Sequence, residues 1–282
     1  MAGLMVIVHA EHGRESGLRI IVPIKQVPET SNVKMAPETG TMIRTGVETV
    51  VNPLDLYAIE TALQMKHEYG GMVIAITMGP PQASKVLKEA VAMGCDEAIL
   101  VSDRKFSGSV TWVTSYTLAQ AIRKSGKYDM VITGERATDG DTAQVGPGIA
   151  SWLDLPLATY VSRVDSIADG VTSVQRLVEE GYKLLAVPLP CLITVVKEIA
   201  SPRLPTLHGK KYAKQLSIPL YSSENMELDP SYLGLKGSPT KVVRINTPKL
   251  TRGDTTIHAL DDEGMFTAVD SLLDYLDSKG LV

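Results

Sequence analysis

The residues whose types and spacing could do chemistry lie together: Gly134-Glu135-Arg136-Ala137-Thr138-Asp139-Gly140-Asp141-Thr142-Ala143-Gln144-Val145-Gly146-Pro147-Gly148. The apolar run before them, residues 128–133, has the character of a buried parallel strand. Residues 149–153 follow as a short helical pattern. A strand, a loop of small and polar residues and then a helix present free backbone N–H groups to a phosphate. The chemistry this suggests is the holding of a nucleotide. A plain capped connection is the other reading, with Asp139 or Asp141 as N-cap and the glycines taking unusual backbone angles.

The elements that must position this stretch can be read around it. Residues 18–24, 72–77, 97–101 and 128–133 are apolar runs of strand length. Between them, Asn52 as N-cap and Pro53 at the first helical position open a helix with Leu54, Ala58, Ala62 and Met65 on its core side. Val86, Leu87 and Ala90 mark a second helix closed near Gly94, and residues 110–124 a third. Residues 31–50 read as a connection with a turn at 37–40, and Pro28 stops regular structure after the first strand. Strand and helix alternating in this way call for a doubly wound parallel sheet, whose ligands sit beyond the carboxyl ends of its strands. Four loops would converge there: Lys25-Gln26-Val27-Pro28, Met78-Gly79-Pro80-Pro81, Ser102-Asp103 and residues 134–148. No Gly-x-Gly-x-x-Gly follows the first strand and no Walker sequence is present.

Beyond Pro156 the pattern changes. Residues 159–167, 171–178 and 183–186 alternate like strands joined by turns, and 192–196 is a further apolar strand. The expected fold is α/β: a doubly wound, mostly parallel, Rossmann-like sheet with an added antiparallel layer, then an extended C-terminal arm ending in a helix. Residues 1–17 read as an extension, 18–218 as the nucleotide-binding domain and 219–282 as the arm. Residues 197–203 should form an exposed loop, and Lys210, Lys211 and Lys214 the solvated face of a helix. The arm, rich in proline and poor in repeated apolar positions, is expected to lie on a partner. Its end places Phe266, Val269, Leu272, Leu273 and Leu276 on one stripe of an amphipathic helix.

Composition narrows the function. A formal charge of −4 and only two Phe and two Trp give no footprint for nucleic acid. Cys95 and Cys191 are the only cysteines, each in apolar surroundings, which points to core packing and leaves no metal or disulfide framework. No apolar stretch is long enough to span a membrane, and the N-terminus lacks the marks of a signal peptide, so a cytoplasmic protein is expected.

The pieces Ile24-Lys25-Gln26-Val27-Pro28, Asn52-Pro53-Leu54-Asp55, Thr77-Met78-Gly79-Pro80, Asp139-Gly140-Asp141-Thr142-Ala143-Gln144-Val145-Gly146-Pro147 and Pro202-Arg203 occur in order. Together they resemble the beta subunit of electron-transfer flavoprotein, over nearly all of residues 18–282. The resemblance implies a heterodimer whose alpha subunit holds a redox-active FAD and whose beta subunit holds a nucleotide in the crevice derived above. Carried over by motif, Pro23, Asn52, Asp55, Met78, Gly79, Ala137, Asp139, Gly140, Asp141, Thr142, Ala143, Gln144, Val145 and Gly146 would line it. Residues 142–146 would offer N–H groups to phosphates, while Asn52 and Asp55 suit adenosine hydroxyls or ring nitrogens.

The form running from Asp139 to Pro147 is similar to the electron-bifurcating group, which binds a second FAD in the beta subunit. Housekeeping members carry consecutive aspartates there and hold structural AMP, carrying electrons from acyl-CoA dehydrogenases; that is the alternative. The bifurcating resemblance implies NADH as donor. It implies ferredoxin or flavodoxin as one acceptor, and an acyl-CoA dehydrogenase or quinone-linked oxidoreductase as the other, reached through the alpha-subunit FAD. The flavin would carry the redox chemistry, so no side chain is expected to be catalytic and no metal is expected. Glu135 and Arg136 depart from the basic residue and Gln that the family often has. Ile199 falls where the family has a partner-docking residue, usually Leu, and is expected to be an exposed anchor.

Overall fold

A computed structural model describes residues 17–29, 48–240, 258–259 and 261–281. Most of the expected N-terminal extension, the turn at 37–40 and Pro248 lie outside them. The chain divides into two compact units, one running through Val243 and one from Arg244.

The first unit is built on strand β1 (Leu18–Pro23), whose Ile20, Ile21 and Val22 are fully buried. A strand with both faces covered needs apolar residues at every position rather than at alternate ones. Around it lie β4 (Gly71–Met78), β5 (Glu97–Val101) and β6 (Met130–Gly134), equally buried at their centres. A further parallel strand is β10 (Cys191–Val195). Three strands complete the sheet as antiparallel neighbours: β7 (Leu157–Ala168), β8 (Val171–Val178) and β9 (Gly181–Pro188). The order is β11-β5-β4-β1-β6-β10-β7-β8-β9, with β11 (Leu220–Tyr221) on the far edge. The antiparallel strands therefore continue the same sheet, and β10 enters between β6 and β7, parallel to both.

Helices α1 (Pro53–Tyr69) and α2 (Ser84–Met93) pack into one apolar cluster with Ala58, Ile59, Val86 and Leu87. Helices α3 (Thr111–Lys124) and α4 (Val145–Leu153) pack into a second, with Leu118, Ile122 and Ile149. Since β1 pairs with β4 on one side and β6 on the other, the strand order reverses between β1 and β6. That reversal leaves a crevice beyond their carboxyl ends. The expected connection after β1 contains more order than its sequence suggested: β2 (Gln26–Pro28) pairs antiparallel with β3 (Thr49–Val51). Pro28 is the last residue of β2.

Helix α5 (Leu207–Gln215) exposes Lys210, Lys211 and Lys214, as its sequence suggested. The start of the C-terminal arm is covered by this chain itself. β11 pairs with β5, Met226 is buried against the α3 side, and Asp229 N donates to the Tyr116 hydroxyl at 2.7 Å. A short helical turn, α6 (Gly234–Gly237), follows. The second unit holds α7 (Asp262–Ser278), opened by Asp261, whose carboxylate caps Gly264 N at 2.8 Å. Its stripe of Phe266, Val269, Leu272 and Leu273 is exposed.

Candidate functional site

The crevice is assembled from the ends of β1 and β6 and the start of α1. Asn52 precedes α1 but does not cap it with its side chain. Pro53 at the first helical position has no N–H to satisfy, and the Asn52 amide reaches across the crevice instead. It donates to Arg136 O at 2.9 Å and accepts from Thr138 N at 3.2 Å. Its own N–H donates to Lys25 O at 2.8 Å. Three residues on, Asp55 accepts from Lys25 N at 2.7 Å and lies beside the Gly134 N–H. Burial pushes the Asp55 carboxyl up to about 7, against the opposing pull of the Lys25 N–H, the Asn52 side chain, the Lys25 charge and the Gly134 N–H. Gly134 has to be glycine here, since a Cβ would come within 2.6 Å of Asp55 Oδ1 and 2.7 Å of Leu54 O.

The loop beyond Gly134 is turned by residues other than its glycines. Asp141 (φ 53°) and Ala143 (φ 55°) hold the left-handed conformation, at about 1 kcal/mol or more each for a side-chain-bearing residue. Gln144 returns to a right-handed φ of −109°. Consecutive left- and right-handed residues turn successive N–H groups toward one point, a concavity suited to an anion. Helix α4 opens immediately afterwards, with no side-chain cap at Gln144. Among the described residues, the N–H groups of Thr142, Ala143, Gln144, Val145 and Gly146 donate to no protein acceptor. Gly146 lets α4 approach the sheet, because a Cβ there would lie 2.7 Å from Thr133 Oγ1, a buried hydroxyl without a partner.

The two aspartates do not cap. Asp139 pairs with Lys25 at 2.6 Å and Asp141 with Arg136 at 3.0 Å, while Arg136 also reaches Glu135 at 3.3 Å. The capped-connection reading is therefore not what these side chains do. They leave the helix start free and bring two cations, Lys25 and Arg136, to its rim. Free N–H groups, a nest, a helix N-terminus and flanking cations fit a phosphate or diphosphate.

Of the residues expected in the site, Asn52, Asp55, Ala137 and residues 139–146 come together here. Pro23 is buried at the end of β1, and Met78 and Gly79 are half-buried at the end of the neighbouring β4. Gly140 takes no left-handed angle and its Cβ position is open, so the chain's own packing does not require glycine there. Asp103, from the third expected loop, is engaged by the arm: it accepts from Ser223 N at 3.0 Å and Ser223 Oγ at 2.6 Å. Ile199 is half-buried against the cluster beneath α1 and α2, not the exposed anchor its sequence suggested. Sequence reasoning missed Lys25 and Arg136 as the rim cations. Their signal was position alone, each lying two residues past the end of a strand. Cys95 and Cys191 are buried and their thiols pushed up to about 12 by burial, which leaves them inert. Among the described residues no cluster could hold a metal ion, and no helix is long and apolar enough to cross a membrane.

An α/β sheet with a phosphate-suited cradle at its switch point defines a nucleotide-binding type of protein. The electron transfer flavoprotein domain matches residues 39–220. The chain is 48% identical over 241 residues to the caffeyl-CoA reductase-Etf complex subunit CarD of Acetobacterium woodii, covering 85% of this chain and 92% of that one. It is 43% identical over 267 residues to the electron transfer flavoprotein subunit beta of Thermoanaerobacterium thermosaccharolyticum, covering 94% and 100%. Protein FixA of Azotobacter vinelandii is 43% identical over 235 residues, covering 81% and 84%. The chain belongs to the electron transfer flavoprotein family, as a beta subunit. Such subunits work with an alpha subunit and redox partners, and the family implies a flavin or nucleotide cofactor.

Proposed function

We propose that this beta subunit binds FAD in the cradle at the β1–β6 switch point. With its alpha subunit it would oxidise NADH while reducing ferredoxin or flavodoxin on one side and an acyl-CoA dehydrogenase or quinone-linked acceptor on the other. The observation that carries the reading is the loop from Asp139 to Gly146, whose N–H groups and rim cations suit the diphosphate of a dinucleotide. The acyl-CoA acceptor draws support from relatives: CarD belongs to a caffeyl-CoA reductase complex, and an acryloyl-CoA reductase electron transfer subunit gamma of Anaerotignum propionicum is 41% identical over 263 residues.

In this reading the chain's residues bind and orient. The N–H groups of residues 142–146 hold the phosphates, with Lys25 and Arg136 released from Asp139 and Asp141 to balance their charge. Pro23, Met78 and Gly79 line the neighbouring wall. A flavin held there supplies acceptance of a hydride and release of its electrons one at a time. No side chain of the site needs to act as acid, base or nucleophile. NADH supplies the electrons, so the cytoplasm is the compartment this function requires.

The test is anaerobic mixing of the purified alpha–beta heterodimer with NADH. Direct bleaching of flavin absorbance is expected. A heterodimer that NADH leaves oxidised, but that a reduced acyl-CoA dehydrogenase reduces, would overturn the donor assignment.

A further inference from the structure

The cradle is formed by two segments that share no strand pairing with each other: the residues after β1 and the loop after β6. Something must hold them in register. Asn52 is fully buried and Asp55 nearly so. Asn52 uses its side-chain nitrogen on Arg136 O and its side-chain oxygen on Thr138 N, and its backbone N–H on Lys25 O. Asp55 accepts from Lys25 N and its carboxylate lies against Gly134, on the opposite side of the crevice. Both side chains stand on one rigid helix start. We infer that Asn52 and Asp55 are positioning residues that staple the two walls of the nucleotide cradle together and do not read the nucleoside themselves. The inference rests on the nucleotide reading above and changes the part these two residues play in it.

Three observations carry it. First, the polar atoms are already used: each named bond ends on backbone of this chain, so a nucleoside hydroxyl or ring nitrogen would have to displace it. Second, the contacts are as close as they can be, since even one methyl group at Gly134 would strike Asp55. Third, an ionised carboxylate in this position works against folding, because its burial outweighs the N–H bonds it accepts. The charged group that acts on it is Lys25 on the β1 side. Lys25 is already paired with Asp139. A group kept against its own desolvation holds geometry rather than stability.

Asp55→Asn and Asn52→Ser separate the possibilities. Each is made in the heterodimer, stripped of its beta-site nucleotide, and titrated with AMP, ADP-ribose, FAD and inorganic pyrophosphate. A staple predicts the same loss for all four, roughly 10- to 100-fold, the range expected when a buried backbone donor is left without its acceptor. A loss confined to the adenosine-containing compounds, with pyrophosphate unchanged, would overturn it and make these residues nucleoside contacts. Unchanged affinity for all four would overturn it as well. A purely structural part would lower Tm. A staple predicts that Asp55→Asn leaves Tm at pH 8 unchanged or raised while affinity falls. Amide hydrogen exchange of the nucleotide-free protein reads the staple without any ligand: residues 134–144 should exchange faster in both variants, with β9 unaffected. If the wild-type heterodimer binds none of the four probes, the nucleotide reading fails, and the exchange measurement still decides the staple. Unaltered exchange at 134–144 would refute it.

Discussion

Two carboxylates on α1, five residues apart, hold two different loops and are driven in opposite directions. Asp55 faces the cradle, accepts only from N–H groups of the chain and a neighbouring amide, and is pushed up to about 7 by burial. Glu60 faces the segment after β10. Burial also pushes its carboxyl up, but the Arg203 side chain and N–H, together with Gln64, outweigh that and hold it below the usual glutamate range. Its bonds to Arg203 are 2.8 Å to Nε, 2.9 Å to Nη2 and 3.1 Å to the backbone N. The difference is the counter-charge. A guanidinium arriving on the loop converts a buried acid into an anchor that also stabilises. N–H groups alone anchor as firmly in geometry but leave the ion under-compensated. One helix thus positions the cradle and the 197–203 segment by two chemically distinct means.

Several substitutions would break or sharpen that contrast. The largest effect is expected from Glu60→Ala, which leaves Arg203 N and a partly buried guanidinium without a partner. It should lower stability by about 2–3 kcal/mol, the lower end for a broken buried pair because Arg203 is half-exposed. Urea unfolding measures this, and retained cradle nucleotide would show that the two anchors are independent. Gly134→Ala comes next, at about 1–3 kcal/mol for forcing a methyl group against Asp55 and Leu54. It should also reduce nucleotide content, which Glu60→Ala should not.

The pH dependences should run in opposite senses. Because the folded Asp55 value lies above the ordinary 3.8, its stabilising contribution is complete below about 4 and is lost as pH rises through about 7. Glu60, held low, contributes above its ordinary 4.5 and loses that contribution only as the solution becomes more acidic. Unfolding free energies at pH 5 and pH 8 should therefore converge in Asp55→Asn and differ in the wild type. Parallel pH profiles for the two proteins would refute this account of Asp55. A smaller effect is expected from Ala143→Gly, which relieves a left-handed angle and should raise stability by up to about 1 kcal/mol. Ile199→Glu probes the second loop. A carboxylate placed against the α1–α2 cluster should lower stability by about 1–3 kcal/mol, and an unchanged urea midpoint would show that Ile199 does not pack there.

The same contrast explains what could be read in advance. The buried strands, α1 to α4 and the position of the switch-point loop were legible, because apolar runs such as residues 18–24 leave a parallel sheet few alternatives. Asn52 was correctly placed at the start of α1. Its bonds to Arg136 and Thr138 were not legible, because they join residues more than eighty positions apart and depend on the packing of α1 against β6. The left-handed angles were sought at the glycines and sit on Asp141 and Ala143, where the tie of Asp141 N to Ala137 O and the start of α4 impose them. Ile199 was expected to be exposed because it falls at the family's docking position in a segment read as an exposed loop. Its side chain instead meets the α1–α2 cluster, a contact fixed by the fold and invisible in the local pattern.

The central claim is that the cradle between β1 and β6 holds FAD. Acid extraction of the purified heterodimer, with released FAD and AMP separated and counted against protein, tests it most directly. FAD in the beta subunit as well as in the alpha subunit, with no AMP, is the predicted result. FAD in the alpha subunit alone, accompanied by an equivalent of AMP, would contradict it.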